Sequence, residues 1–109
     1  MNTNERIARG LGWTSHEFLV VGETITGWKR PDGLGESVPD YEHSLDALLE
    51  TLGVLRERGW SFQLDLKSTG NNLIHPYRND ELDYAFELDG RDLPGVLALA
   101  VADALEASK

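Results

Sequence analysis

Leu45, Leu48, Leu49, Leu52 and Leu55 recur at the three-and-four spacing of a single helical face, while Asp46, Glu50, Thr51, Arg56 and Glu57 take the other side. This spacing predicts an amphipathic helix docked on a core. Asp40 and Ser44 can each cap its start with a side-chain oxygen, Arg56 and Arg58 complement the negative end of its dipole, and Gly59 suits the left-handed residue that ends it. The period then changes from 3.6 to 2. Trp60, Phe62, Leu64 and Leu66 alternate with Ser61, Gln63, Asp65 and Lys67, which predicts a strand with one apolar and one wet face. Burial of such residues is worth roughly 1.5 to 3 kcal/mol each, so this helix and strand are the expected core.

The remaining elements are weaker versions of the same two patterns. Residues 3–11 predict a short helix capped by Thr3 or Asn4, with Ile7, Ala8 and Leu11 inward and Gly10 and Gly12 ending it. Residues 17–28 are β-branched and aromatic but split at Gly22-Glu23, so they predict two strands about a tight turn. Pro31-Asp32-Gly33 stops the second strand, and residues 30–40 form the longest loop, with two prolines and two glycines. After the central helix and strand, residues 68–72 turn the chain and residues 73–77 predict a short strand, placed at a sheet edge by Pro76. Leu82, Tyr84, Phe86 and Leu88 alternate with polar partners as a further strand, and residues 94–107 form a last helix of small and apolar groups capped by Asp92.

The order α-ββ-α-ββ(β)-α predicts the α+β class: one domain over residues 1–109, with an antiparallel sheet of about four to five strands packed with three helices. The alternation in the late strands predicts that part of one sheet face meets water, as in two layers or an incompletely covered α/β/α sandwich.

Composition changes the picture in three respects. A formal net charge of −9 on 109 residues opposes duplex nucleic acid as a partner and is compatible with a basic protein surface, or with a small anion where the ten Lys and Arg residues cluster. Zero cysteines remove disulfide and thiol chemistry. With no apolar run of signal-peptide or membrane-spanning length, a soluble protein of the cytoplasm is expected, without contact to membranes.

Gly12-Trp13, residues 28–33 (WKRPDG), residues 38–41 (VPDY) with residues 44–47 (SLDA), residues 55–60 (LRERGW) and the closing alanine-rich helix, taken in order, resemble the phage ABA sandwich domain family. The resemblance covers nearly the whole chain. It implies a small phage or prophage protein with helices packed about an antiparallel sheet, and it brings no catalytic motif or site residue with it.

Nucleophile elbows, zinc-protease motifs and phosphate loops are absent from the sequence, and His16, His43 and His75 are far apart in it. Neither a cofactor nor a metal is expected, and the chain is not read as an enzyme. His43 and Asp46 share the start of the central helix, within reach of a local hydrogen bond. The richest cluster is Trp28, Lys29, Arg30, Asp32 and Tyr41, two cations and two aromatic rings about the long loop, repeated on a smaller scale by Tyr77 and Arg78. Guanidinium forks match phosphates and aromatic rings stack on bases, so this set suits a nucleotide-like anion. The competing reading makes Trp28 a core anchor and Lys29 and Arg30 solvated charges. The leading functional expectation is a phage counter-defence protein that binds and sequesters a small nucleotide-derived signalling molecule without chemistry, as a homodimer. The alternative is an acidic inhibitor that covers a basic host protein by imitating nucleic-acid charge, and a third is a small hydrolase.

Overall fold

The computed structural model describes residues 2–35 and 37–108. Three helices, α1 (Thr3–Gly10), α2 (Leu45–Glu57) and α3 (Leu93–Ala107), accompany six strands: β1 (Thr14–Val20), β2 (Glu23–Lys29), β3 (Trp60–Leu66), β4 (Asn72–Arg78), β5 (Glu81–Leu82) and β6 (Leu88–Gly90). The fold is α+β with antiparallel pairing throughout. The strands divide between two sheets, a β1–β2 hairpin and a four-stranded sheet in which β4 pairs with β3 on one side and with β5 and β6 on the other.

α3 is the centre of the body. Leu97, Ala98, Ala100, Val101, Ala102, Ala104 and Leu105 are buried around nearly its whole circumference, because α1, α2 and the four-stranded sheet all pack on it. Its small residues permit close approach: a Cβ added at Gly10 of α1 would stand 2.6 Å from Leu105 Cβ. Arg6 of α1 completes the contact with 2.7 Å ion pairs to Asp103 and Glu106, whose hydrogen bonds raise the guanidinium pKa further above its ordinary value. From the sheet, Trp60, Ile74 and Pro76 are buried in the same core, while Ser61, Gln63 and Tyr77 lie on the opposite, wetter face.

Several sequence expectations are corrected here. The cap of α1 is Asn2 rather than Thr3 or Asn4, and it forms a reciprocal capping box with Glu5. Ser44, not Asp40, caps α2, and Gly59 ends it with φ of +90° as expected. The buried line of α2 is Leu48, Thr51 and Leu55, so Leu45 and Leu49 of the predicted apolar face are exposed. Thr51 is tolerated inside because its hydroxyl donates to the Leu48 carbonyl of its own helix, 2.6 Å away.

The strand with Pro76 is central rather than marginal. In a strand a residue's N and C=O point to the same side, and the Pro76 carbonyl accepts from Asp83 N at 2.9 Å, on the β5 side. The missing N–H of Pro76 therefore faces the gap between β5 and β6 and removes nothing from the ladder with β3. The alternation over residues 82–88 does not make one strand. Asp83 accepts from Ala85 N and starts a short 3₁₀ turn, Tyr84–Phe86, that separates β5 from β6 and leaves Tyr84 exposed.

The hairpin stands apart from this body. The Cα radius of gyration is 15.4 Å with extents of 50 × 30 × 22 Å, against about 13 Å expected for a compact chain near this length. Among the described residues no helix is long and apolar enough to cross a membrane.

Candidate functional site

A cleft of about 540 Å³ lies where the end of α1, the base of the hairpin and α2 converge. Its walls come from Leu11 and Trp13, from Arg30 and Pro31, from Pro39 and Tyr41, and from Ala47, Glu50, Thr51 and Val54 on one flank of α2. Local chemistry fixes each wall. After β2 the chain turns at residues 30–34, where Gly33 N donates to the Arg30 carbonyl and Asp32 Oδ1 accepts from Leu34 N, with Gly33 supplying φ of +88°. On the other side Asn4 of α1 is a strut: its amide donates to Asp40 and its oxygen accepts from Glu42 N at 2.9 Å. This places Tyr41, itself buried, against the body and under the cleft.

Of the residues that the sequence singles out, Arg30 and Tyr41 meet in this cleft. Arg30 also forms an ion pair with Asp32 at 3.3 Å, both side chains nearly half exposed. Trp28 and Lys29 do not line the cleft. Trp28 sits at the root of the hairpin with the Arg9 guanidinium 5.5 Å from its ring centre, and Lys29 is exposed on β2. Tyr77 and Arg78 lie elsewhere, on β4. The Tyr77 hydroxyl donates to Gln63 at 2.9 Å, and Arg78 stacks over Trp60 at 4.4 Å, with Phe86 nearby. Consecutive strand residues point to opposite faces, so Tyr77 and Arg78 do not form one site.

Trp13, Glu50 and Thr51 join the cleft although the sequence cluster omitted them. Trp13 lies just after the glycines that end α1, and an aromatic at such a junction was the available signal. Glu50 and Thr51 carried none beyond belonging to the polar side of α2.

The three histidines stay on separate elements. His16 stacks on Phe18 in the hairpin, His75 Nδ1 meets Glu87 at 2.5 Å across the sheet, and His43 Nδ1 meets Asp40 rather than Asp46, at 2.9 Å. The bond to Asp40 raises the His43 pKa, and the same bond, with help from Asn4, lowers that of Asp40. Asp40 lies in the chain between the cleft residues Pro39 and Tyr41, so this pair braces one rim. A second hollow of about 300 Å³ is lined by His75, Glu87, Leu73, Leu88 and Asp89 on the sheet.

The first cleft therefore offers one guanidinium, a tryptophan, a buried tyrosine, a carboxylate and apolar walls: groups that bind and orient a ligand. Comparison with protein-family models, with curated proteins and with solved structures finds no match to this chain.

Proposed function

We propose that the chain binds and sequesters a small nucleotide-derived anion in the cleft between α1, the hairpin base and α2, in the role of a phage counter-defence protein. The observation that carries this reading is the meeting of Arg30, Trp13 and Tyr41 around about 540 Å³, a volume in the ordinary range for small-molecule sites. Arg30 supplies the fork for a phosphate. Its pair with Asp32 at 3.3 Å is nearly half exposed, and exposed pairs of this kind are worth at most about 1 kcal/mol. Trp13 supplies a face for a base, and Glu50 accepts from the donor edge of that base or from ribose hydroxyls. The phage setting is supported by the family resemblance in the sequence.

A thermal-shift panel of cyclic di- and trinucleotides, NAD-derived signals and ordinary nucleotides tests the proposal. A ligand at about 100 times its Kd adds about 2.7 kcal/mol, and each kcal/mol raises the midpoint by about 4–8 °C in a domain of this size. Arg30→Ala and Trp13→Ala are expected to reduce that shift while both variants stay folded, and mass analysis of the recovered ligand is expected to find it intact. A panel without a shift removes the proposal and favours a basic protein as the target of this acidic chain.

A further inference from the structure

The β1–β2 hairpin has two unlike faces, set by its register. Thr14, His16, Phe18 and Val20 stand opposite Lys29, Gly27, Ile25 and Glu23, and directly opposed residues share a face. The other face carries Ser15 and Trp28, and it is the one tied to the body: Arg9 donates to Ser15 Oγ at 2.7 Å and lies over the Trp28 ring. The first face is covered by nothing among the described residues. Phe18, Val20 and Ile25 are 43, 41 and 40 % exposed on it.

This face is level by construction. A Cβ at Gly27 would fall 2.7 Å from the His16 ring and 2.9 Å from the Phe18 ring, so both rings lie across the bare backbone of β2 and stack on each other at 5.7 Å. Its charges are arranged by sign. Lys29 stands at the base and Glu23 at the tip, six residues apart on one strand and hence about 20 Å apart. They are too far apart to pair within one hairpin, and no ion pair to either forms among the described residues.

We propose that this face is a self-association surface, on which two copies of the chain stack their hairpins face to face about a two-fold axis, tip over base. The axis crosses the hairpin at the Glu17–Thr26 pair, midway along both strands. That operation places Glu23 of each copy over Lys29 of the other, Phe18 over His16, and Ile25 over Gly27. Attractive charges fall at both ends, and Ile25 of each copy meets the flat His16 and Phe18 rings that lie across Gly27 of the other. A two-fold interface must complement itself, and the opposite order of signs along β2 is what makes this face do so. A second copy supplies both matching charges, whereas a lipid surface supplies neither the register nor the alternation. The patch is seven residues long and two strands wide, which places it at the small, weakly associating end of protein interfaces.

Sedimentation equilibrium from about 10 µM to about 1 mM at about 0.15 M ionic strength tests this. The expected result is a reversible monomer–dimer equilibrium. Phe18→Glu is expected to be monomeric throughout with an unchanged far-UV spectrum, and Ile25→Lys repeats the test should Phe18→Glu fail to fold. Glu23→Lys and Lys29→Glu each oppose like charges twice per dimer and are expected to weaken it about tenfold or more. The double variant restores both pairs with inverted sign and is expected to return to within about threefold of the original. A chain that is monomeric at every concentration overturns the proposal. So does a dimer indifferent to Phe18→Glu and Ile25→Lys, or a double variant as weak as the single ones.

Discussion

The α1–α3 contact and the β1–β2 hairpin both begin in the first thirty residues, yet they hold their shape by different means. In the first, Ile7, Ala8 and Gly10 are buried against α3 and Arg6 is shared between Asp103 and Glu106. In the second, backbone pairing is complete from Thr14↔Lys29 to Val20↔Glu23, but the outer half rests on nothing else among the described residues: Leu19 is 74 % and Val21 99 % exposed. Hydrogen bonding gives a hairpin its form, and coverage of an apolar face gives it most of its stability, so a two-stranded ribbon alone is marginal in water. The body is therefore expected to be cooperative and sensitive to packing, and the hairpin to be locally soft and nearly silent in global unfolding.

The largest difference is expected from truncating one apolar side chain in each region. Leu48→Ala empties a site with no solvent exposure and is expected to cost about 2–5 kcal/mol, whereas Phe18→Ala is expected to stay within about 0.5 kcal/mol. Urea unfolding of the two variants measures both, and comparable losses would show that the hairpin belongs to the cooperative core. Gly10→Ala comes next. Its methyl would meet Leu105 Cβ, which is fixed to the α3 backbone, and an expected loss of about 1–3 kcal/mol would confirm that α1 and α3 are in contact at that point.

A smaller effect of opposite sign is expected at the hairpin tip. Val21 and Gly22 form a two-residue turn with φ of +50° and +79°, and a β-branched residue is poorly suited to the first of these positions. Val21→Asn is expected to stabilise the ribbon by up to about 1 kcal/mol, read as slower amide exchange in β1 and β2 with little change in global stability.

The smallest effect is on pH dependence. The bond to Asp40 raises the His43 pKa, so its contribution is present below the ordinary histidine pKa and is lost as pH rises through the raised value. Asp40 is the converse: its contribution is present above the ordinary carboxyl range and is lost as pH falls through its lowered value. The pair therefore supports the folded state between the two. Asp40→Asn is expected to move the His43 titration, followed by proton NMR, back towards lower pH. An unmoved titration would remove Asp40 as the cause.

Parts of this organisation were legible in the chain because they are local. The period of α2 and the switch at Gly59 into β3 follow from side-chain spacing alone, as do the turn at Gly22 and the apolar α3. Arg30 and Tyr41 could be grouped from sequence because they flank one loop, while Trp13, Glu50 and Thr51 enter the cleft only through the packing of α1 and α2. Tyr77 and Arg78 are adjacent in sequence, but the strand pleat sends them to opposite faces.

The sequence by itself determined the class of the fold, the order of its helices and of the strands up to β4, and most of their boundaries, because helical and strand periods, caps and turn residues act over a few neighbouring positions. Only the tertiary structure decided which leucines of α2 are inside, that β4 with its proline is central, and that the first hairpin leaves a face bare. Each of these depends on what lies on the far side of an element. An alternating pattern shows that a strand has an apolar face, but a partner element must be present to cover it, and for β1 and β2 none of the described elements does so.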